Sequence, residues 1–336
     1  MHVAVVGATG QVGGVMLDVL AQRNFPLSSL RLFASSRSAG KEIAWKGGII
    51  VEDLATADFS GIDIALLSAG KTASLAFAPK IAEAGAVVID NSSAWRMDPK
   101  VPLVVADVNN HTVSAGNSGC IIANPNCTTM VAMMALKPLH DLAGLQSFSV
   151  STYQACSGAG LAGVAELDEH LRAGAPNAVG LAFDNTAITL PPAEVFPDNV
   201  AFNVVPMCGS FADDASGETD EEQKFRNESR KILELPDLEI TPTCVRVPVF
   251  TGHSMTIHAS FAQPVTPEEA AEKLATSPGV KVCQQPTPIA ATGADETLVG
   301  RIRQSGESGL VFFLSGDNLR KGAALNAVQI AELVAS

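Results

Sequence analysis

Residues 2–13 read HVAVVGATGQVG. A short apolar run, His2 to Val6, meets three glycines spaced G-x-x-G-x-x-G at Gly7, Gly10 and Gly13, and the GVMLDVLAQRN that follows has helical spacing. A strand, a glycine turn and a helix in succession let a pyrophosphate approach backbone N–H groups at the helix start. The spacing is not the usual G-x-G-x-x-G, and glycine turns occur at many strand-to-helix joints. What favours a dinucleotide site is the position of this turn, on the first strand of an alternating pattern.

That pattern continues. SLRLFASS reads as a second strand and IDIALLSAG as a third, followed by the helical TASLAFAPKIAEAG; AVVID, LVVADV and GCIIAN read as further strands. Strands alternating with helices imply a Rossmann-like, doubly wound parallel α/β sheet. Beyond Cys127 the pattern changes. TTMVAMMALKPLHDLA is helical with Pro138 near its end, LQSFSVSTYQ is a strand, and GVAELDEHLRAG and DEEQKFRNESRKILEL are helices. TCVRVPVF, SMTIHASF, ETLVGRIRQ and GLVFFLSG alternate as half-buried strands do, so this part is expected to be α+β with a mostly antiparallel sheet. SFADDASGETDEE reads as an exposed loop, and LRKGAALNAVQIAELVAS as a closing helix. The expected division is a nucleotide-binding domain over 1–126, completed by the closing helix over 318–336, and a second domain over 127–317.

The chain has 336 residues, 47% hydrophobic and 17% charged, a globular composition long enough for two cores. A net charge of -13 argues against nucleic acid or an anionic membrane as partner, while leaving room for a local basic pocket. No basic, apolar leader precedes VAVVGA, and no apolar run is long enough to span a bilayer. Six scattered cysteines with no CxxC pair fit the reducing cytoplasm better than a disulfide framework. No metal site is expected: His253 and His258 in GHSMTIH are too strand-like to share a helix face.

After the second strand stands Ala34-Ser35-Ser36-Arg37-Ser38. An NAD site usually carries an acid there for the ribose hydroxyls. Hydroxyls and one arginine suit a 2′-phosphate instead, so NADP is the expected cofactor; the bland alternative is a solvated loop.

IIANPNCTT, residues 121–129, places Cys127 where a strand gives way to a helix. A helix N-terminus favours an anion, which lowers a thiol pKa and suits a thiolate nucleophile. Free cysteine is more commonly a small buried hydrophobe, and Cys120, Cys208, Cys244 and Cys283 read that way. Cys127 differs in its polar neighbours Asn124, Asn126, Thr128 and Thr129. Of the histidines, His2, His111, His140 and His170 sit in ordinary surface or helix contexts. His253 follows RVPVFTG; paired with Arg246 it reads as an acid/base beside a carboxylate-binding guanidinium.

VAVVGATGQVG, SSRSAGK, DNSSAWRMD, IIANPNCTT, TYQACSGAG, EEQKFRNESRKIL, RVPVFTGHS and GDNLRKGAALNAVQIAE, taken in this order, resemble bacterial aspartate-semialdehyde dehydrogenases over nearly the whole chain. The resemblance implies NADPH-dependent, reversible conversion of L-aspartyl-4-phosphate to L-aspartate 4-semialdehyde, within biosynthesis of lysine, threonine, methionine and diaminopimelate. It implies that Cys127 forms a thioester, that Gln154 positions substrate and that His253 is the acid/base. Arg246 would hold the α-carboxylate and Glu221 the amino group, while Arg96, Asn126 and Lys224 would hold inorganic phosphate. Gly7, Thr9, Gly10, Gln11, Val12, Gly13, Ser35, Arg37, Ser38, Ser68, Ser157, Gly158 and Asn318 would contact NADP. A homodimer built on the second domain is implied as well. From their helix alone, Glu221 and Lys224 read as a charged solvated face, and only the resemblance lifts them above it. Cys156, beside Gln154, carries no assigned role.

The nearest rival is an N-acetyl-γ-glutamyl-phosphate reductase, with the same chemistry on an acylated, longer substrate; an anion for a free amino group, as Glu221 would supply, disfavours it. A phosphorylating dehydrogenase of the glyceraldehyde-phosphate type matches the cysteine surroundings poorly. A catalytically silent nucleotide-binding paralogue is disfavoured by the joint presence of Cys127, Gln154, Arg246 and His253.

Overall fold

The computed structural model describes residues 1–45, 47–113 and 119–336. They form two compact units: Met1–Met134 with Asn227–Pro236 and Leu319–Ser336, and Ala135–Arg226 with Asp237–Asn318. The helices are α1 (Gln11–Gln22), α2 (Lys71–Glu83), α3 (Cys127–Ala143), α4 (Gly160–Gly174), α5 (Asp220–Leu233), α6 (Pro267–Ala275), α7 (Pro288–Ala291) and α8 (Leu325–Ala335). Among the described residues no helix is long and apolar enough to cross a membrane.

The first unit holds a seven-stranded sheet: β1 (His2–Val6), β2 (Ser29–Ala34), β3 (Glu42–Ile43), β4 (Ile49–Asp53), β5 (Ile64–Leu67), β6 (Val87–Asp90) and β7 (Ile121–Ala123), in the order β3-β4-β2-β1-β5-β6-β7. Every pairing is parallel except the edge pair β3–β4. The near-continuous apolar strands follow from burial on both faces. Val3 and Val5 point into one core with Met16 and Leu20 of α1 and Leu325 and Val328 of α8. Ala4 and Val6 point into the other, with Ala78 and Ile81 of α2. This is the doubly wound α/β arrangement expected.

Several segments differ from the sequence expectation. LVVADV is no strand; it makes only an isolated bridge between Leu103 and Ala123. All its residues but Asp107 are nonetheless buried, and two side-chain amides replace the sheet ladder. Asn109 accepts the Val105 N–H at 2.8 Å and donates to Leu103 O at 2.9 Å. Asn326 accepts the Ala106 N–H at 2.9 Å and donates to Val104 O at 2.9 Å. The apolar run thus records burial, not strand pairing. Residues 127–134 and 227–236, expected in the second domain, group with the first unit, and Asn318, expected in the first, groups with the second. For 227–236 the physical tie is Lys231, whose Nζ donates to the carbonyls of Arg96, Asp98 and Val101 at 2.8, 2.7 and 2.9 Å.

The second unit holds a six-stranded sheet of β8 (Leu145–Gln154), β9 (Glu239–Arg246), β10 (His253–Phe261), β11 (Val280–Val282), β12 (Thr297–Ser305) and β13 (Gly309–Gly316), in the order β11-β12-β13-β10-β8-β9. The three central pairings are antiparallel and the two edge pairings parallel. Alternating burial along β8 and β10 marks one face packed and one half-exposed. Register sets Gln154 opposite Arg246 at the ends of β8 and β9, and His253 opens β10 beside them.

Candidate active site

The glycine turn is shaped by contacts that leave no room for side chains. Gly7 has φ +88°, and a Cβ there would lie 2.2 Å from Ser68 O, at the end of β5. A Cβ on Gly13 would lie 2.3 Å from Gly7 O. Gly10 begins α1 with no side-chain cap, so the helix start is left to its backbone N–H groups. Gly7, Thr9, Gly10, Ser35, Arg37 and Ser68 line one cavity of about 510 Å³. Gln11, Val12 and Gly13 form the first turn of α1. Ser38 does not line the cavity; its N–H closes the turn after β2 on Ser35 O at 2.8 Å. The cavity also contains Asp53, which sequence reading missed. It comes from the end of β4, in register with Ala34, and one carboxylate oxygen accepts the Ala55 N–H at 3.0 Å. Open helix N–H groups, absent Cβ atoms and a hydroxyl-and-arginine rim fit a dinucleotide.

In the same unit, Cys127 is the first residue of α3 and is partly accessible. Asn126 caps the helix: its Oδ1 accepts the Thr128 N–H at 3.0 Å, the Thr129 N–H at 3.4 Å and the Thr128 hydroxyl. Thr128 and Thr129 are fully buried. Arg96 is buried next to this corner, donating from Nε to Asn124 O and from Nη2 to Asn91 O, both at 3.0 Å. Its Nη1 pairs with Glu228 at 3.1 Å, and the other oxygen of Glu228 accepts the Asn126 N–H at 2.6 Å. Sequence reading missed Glu228, although it lies seven residues after Glu221 on one helix, a spacing that repeats a face.

The second unit assembles the remaining polar groups. Gln154 is buried, with its Nε2 3.4 Å from Glu221 Oε1, and Lys224 Nζ lies 3.7 Å from Glu221 Oε2 while also pairing with Asp220. Arg246 donates from Nη1 to Ala155 O at 2.7 Å, and its guanidinium lies over the Phe196 ring at 5.4 Å. Among the described residues its Nε is buried without a partner, a donor whose desolvation an anionic ligand would offset. His253 is fully buried, and its Nδ1 accepts the Ala155 N–H at 3.0 Å. Burial, with the Arg246 charge adding to it, holds the ring pKa well below its ordinary value, so the imidazole is neutral. An accepting Nδ1 puts the remaining ring proton on Nε2.

Gly158 lies against both groups: a Cβ there would be 3.1 Å from Arg246 Nη1 and 3.3 Å from His253 Nε2. Ser157 and Asn318 are joined, with Asn318 Nδ2 donating to Ser157 Oγ at 2.9 Å while Asn318 Oδ1 accepts the Gly252 N–H at 2.9 Å. Cys156, Cys208 and Cys244 are buried, whereas Cys120 and Cys283 are partly accessible like Cys127. Burial pushes Cys156 up to about 11 and Cys208 to about 12, and raises Cys244 and Cys120 as well. Cys156 also donates to Val247 O at 3.6 Å, which gives this unassigned residue a structural part.

Two family models match: the semialdehyde dehydrogenase NAD binding domain over residues 2–115, and the semialdehyde dehydrogenase dimerisation domain over residues 136–321. Aspartate-semialdehyde dehydrogenase of Streptomyces akiyoshiensis is 57% identical over 100% of this chain and 99% of its own. The Mycolicibacterium smegmatis protein of that name is 54% identical, again over 100% of this chain and 99% of its own. Among solved structures, aspartate semialdehyde dehydrogenase II from Vibrio cholerae is 42% identical and superposes with a TM-score of 0.91, covering 99% of this chain and 98% of that one. With such identity running from end to end, the chain belongs to the aspartate-semialdehyde dehydrogenase family, oxidoreductases of amino-acid biosynthesis.

Proposed function

We propose that the protein catalyses the NADPH-dependent reductive dephosphorylation of L-aspartyl-4-phosphate to L-aspartate 4-semialdehyde, reversibly, through a thioester on Cys127. The observation that carries this reading is a partly accessible thiol at the first residue of a capped helix, beside a buried arginine, in a chain whose fully buried cysteines are held as neutral thiols. The helix N-terminus favours the thiolate. Its Sγ attacks the acyl carbon; the new S–C bond replaces the C–O bond to phosphate, and inorganic phosphate leaves toward Arg96, Asn126 and Lys224. Arg246 grips the α-carboxylate through its fork, Glu221 takes the amino group, and Gln154 orients the chain between them. The hydride that reduces the thioester is the chemistry a bound NADPH supplies. The Nε2–H of His253 donates to the oxygen that gains charge as the hemithioacetal forms, and the C–S bond then breaks to release aldehyde and thiolate.

Ser35 and Arg37 support NADP over NAD, with Arg37 as partner of the 2′-phosphate and Ser38 closing the turn that carries them. Gly7 to Gly13, Ser68, Ser157, Gly158 and Asn318 supply the rest of the cofactor contacts. A Vibrio cholerae relative, 41% identical, has been solved "complexed with ASA". The second unit is the proposed homodimer surface, supported by the match of its family model to a dimerisation domain.

The test is an oxidation assay with semialdehyde, inorganic phosphate and either NADP or NAD, alongside thiol labelling with and without substrate. The reading expects phosphate dependence, a higher kcat/KM with NADP, and substrate-protected label on Cys127 alone. Full activity in Cys127→Ala would overturn the mechanism, and equal or better use of NAD would overturn the cofactor assignment.

A further inference from the structure

Arg96 is a buried cation with an unusually complete set of fixed partners. A guanidinium has five N–H groups. Three of them go to Asn124 O, Asn91 O and Glu228, which among the described residues leaves two, one on each terminal nitrogen. The three partners come from three separate segments, at 91, 124 and 228, so the plane of the group is set from three directions. Glu228 is itself 1% exposed, and its second oxygen takes the N–H of Asn126, the residue that caps the helix of Cys127. One carboxylate therefore holds both the Arg96 guanidinium, with two N–H groups beyond these bonds, and the backbone just ahead of the nucleophile. A buried ion pair is weak evidence of stability in itself, because desolvation offsets the attraction. A carboxylate that must accept from two different donors has a geometric task that no isosteric neutral residue can perform.

We propose that Glu228 is a positioning residue for phosphate: it presets the Arg96 guanidinium as an anion fork and fixes Asn126 beside Cys127. This rests on the reading of Arg96 as a phosphate ligand. An amide in place of the carboxylate accepts from only one of the two donors and turns an NH₂ toward the other. Either Arg96 or Asn126 is then displaced, while the volume of the side chain is kept.

The experiment uses the full chain in the oxidising direction, with inorganic phosphate as the varied probe. Loss of one charge-assisted hydrogen bond from the fork should raise the phosphate KM of Glu228→Gln roughly 10-fold or more. The semialdehyde KM should stay within about twofold, since Arg246 and Glu221 are untouched. Glu228→Asp keeps the charge but is too short to reach both partners, and should show the same split to a smaller degree. Combining Glu228→Gln with Arg96→Gln should raise the phosphate KM no further than Arg96→Gln alone. If Arg96→Gln leaves the phosphate KM unchanged, the phosphate reading of Arg96 fails. If Arg96→Gln raises it while both Glu228 variants lower only the thermal midpoint, Glu228 is merely structural and the present inference is overturned. Should Glu228→Gln not fold, the aspartate variant decides by the same two KM values.

Discussion

Adding one methyl group at Gly158 should separate activity from stability. Gly158 lies in the single turn Cys156–Ala159 with no positive φ, so alanine fits the backbone, and removing a glycine favours the fold by about 0.4–1 kcal/mol through the unfolded chain. The new Cβ, however, would meet Arg246 Nη1 at 3.1 Å, His253 Cε1 at 3.2 Å and His253 Nε2 at 3.3 Å. Ordinary contact begins near 3.5 Å, so these atoms must retreat by about 0.2–0.4 Å. Neither group yields freely. Arg246 is held to Ala155 O at 2.7 Å and His253 to the Ala155 N–H at 3.0 Å, so a shift stretches bonds to the same residue. A 1 Å misplacement of reacting groups can cost 10²-fold, so a retreat of about 0.2–0.4 Å scales to a loss of roughly 3- to 6-fold in kcat/KM, about 0.5–1 kcal/mol. Steady-state kinetics and a thermal melt on the purified variant suffice. An unchanged kcat/KM, or an activity loss matched by a lower melting temperature, would refute the contact argument. A defect confined to the KM for NADP would instead favour Gly158 as a cofactor contact.

Arg246→Lys should lose about 1–3 kcal/mol of kcat/KM, since an ammonium cannot present a two-pronged fork to a carboxylate; unchanged kinetics would give Arg246 another role. Lys224→Ala should raise the phosphate KM more than the semialdehyde KM, and equal values for both would return Lys224 to a plain charged helix face. Gly7→Ala should abolish cofactor binding and lower the melting temperature, because it combines a left-handed backbone, about 1–2 kcal/mol, with a Cβ 2.2 Å from Ser68 O. His253 has a folded pKa below its ordinary value of 6.5, so the unfolded chain takes up its proton first as pH falls. Its contribution to stability is present above pH 6.5 and is lost below it, toward the lowered folded value; urea midpoints at pH 7.5 and 5.5 should therefore differ less in His253→Asn than in wild type.

Both sheets were legible in the sequence for different reasons. Strands buried on two faces appear as unbroken apolar runs, as in β1, and strands buried on one face as alternation, as in β8, whose observed span matches LQSFSVSTYQ residue for residue. LVVADV misleads because an apolar run reports burial and not the partner of its N–H groups. Those partners are amides four residues away at Asn109 and 220 residues away at Asn326. The edge strand β3 has only two residues, and β4, IIVED, is only half buried and ends in two acids, so neither shows the unbroken apolar run of β1, and Asp53 was missed with them. Within the candidate site, side chains flanked by telling neighbours stood out, Cys127 most of all. Glu228 did not, because a buried glutamate on a charged helix has the same spelling as a solvated one. Nor could any sequence pattern show that the backbone of Ala155 serves Arg246 through its carbonyl and His253 through its N–H.

The amides that replace a strand at residues 103–106 also set a schedule for synthesis. Asn326 follows Ala106 by 220 residues. At a ribosome rate of about 5–20 residues per second, that interval is roughly 10–40 s. Throughout it, Val104 and Val105 are ready to be buried while a neighbouring N–H and C=O still await their partner. The nascent chain must therefore hold an apolar, half-finished loop in waiting, with the Arg96 corner likewise waiting on residues 228 and 231. A fragment ending near residue 115 lacks all of these groups. It should be captured by chaperones or aggregate where the whole chain folds, even though β1 to β6 and the glycine turn are all present.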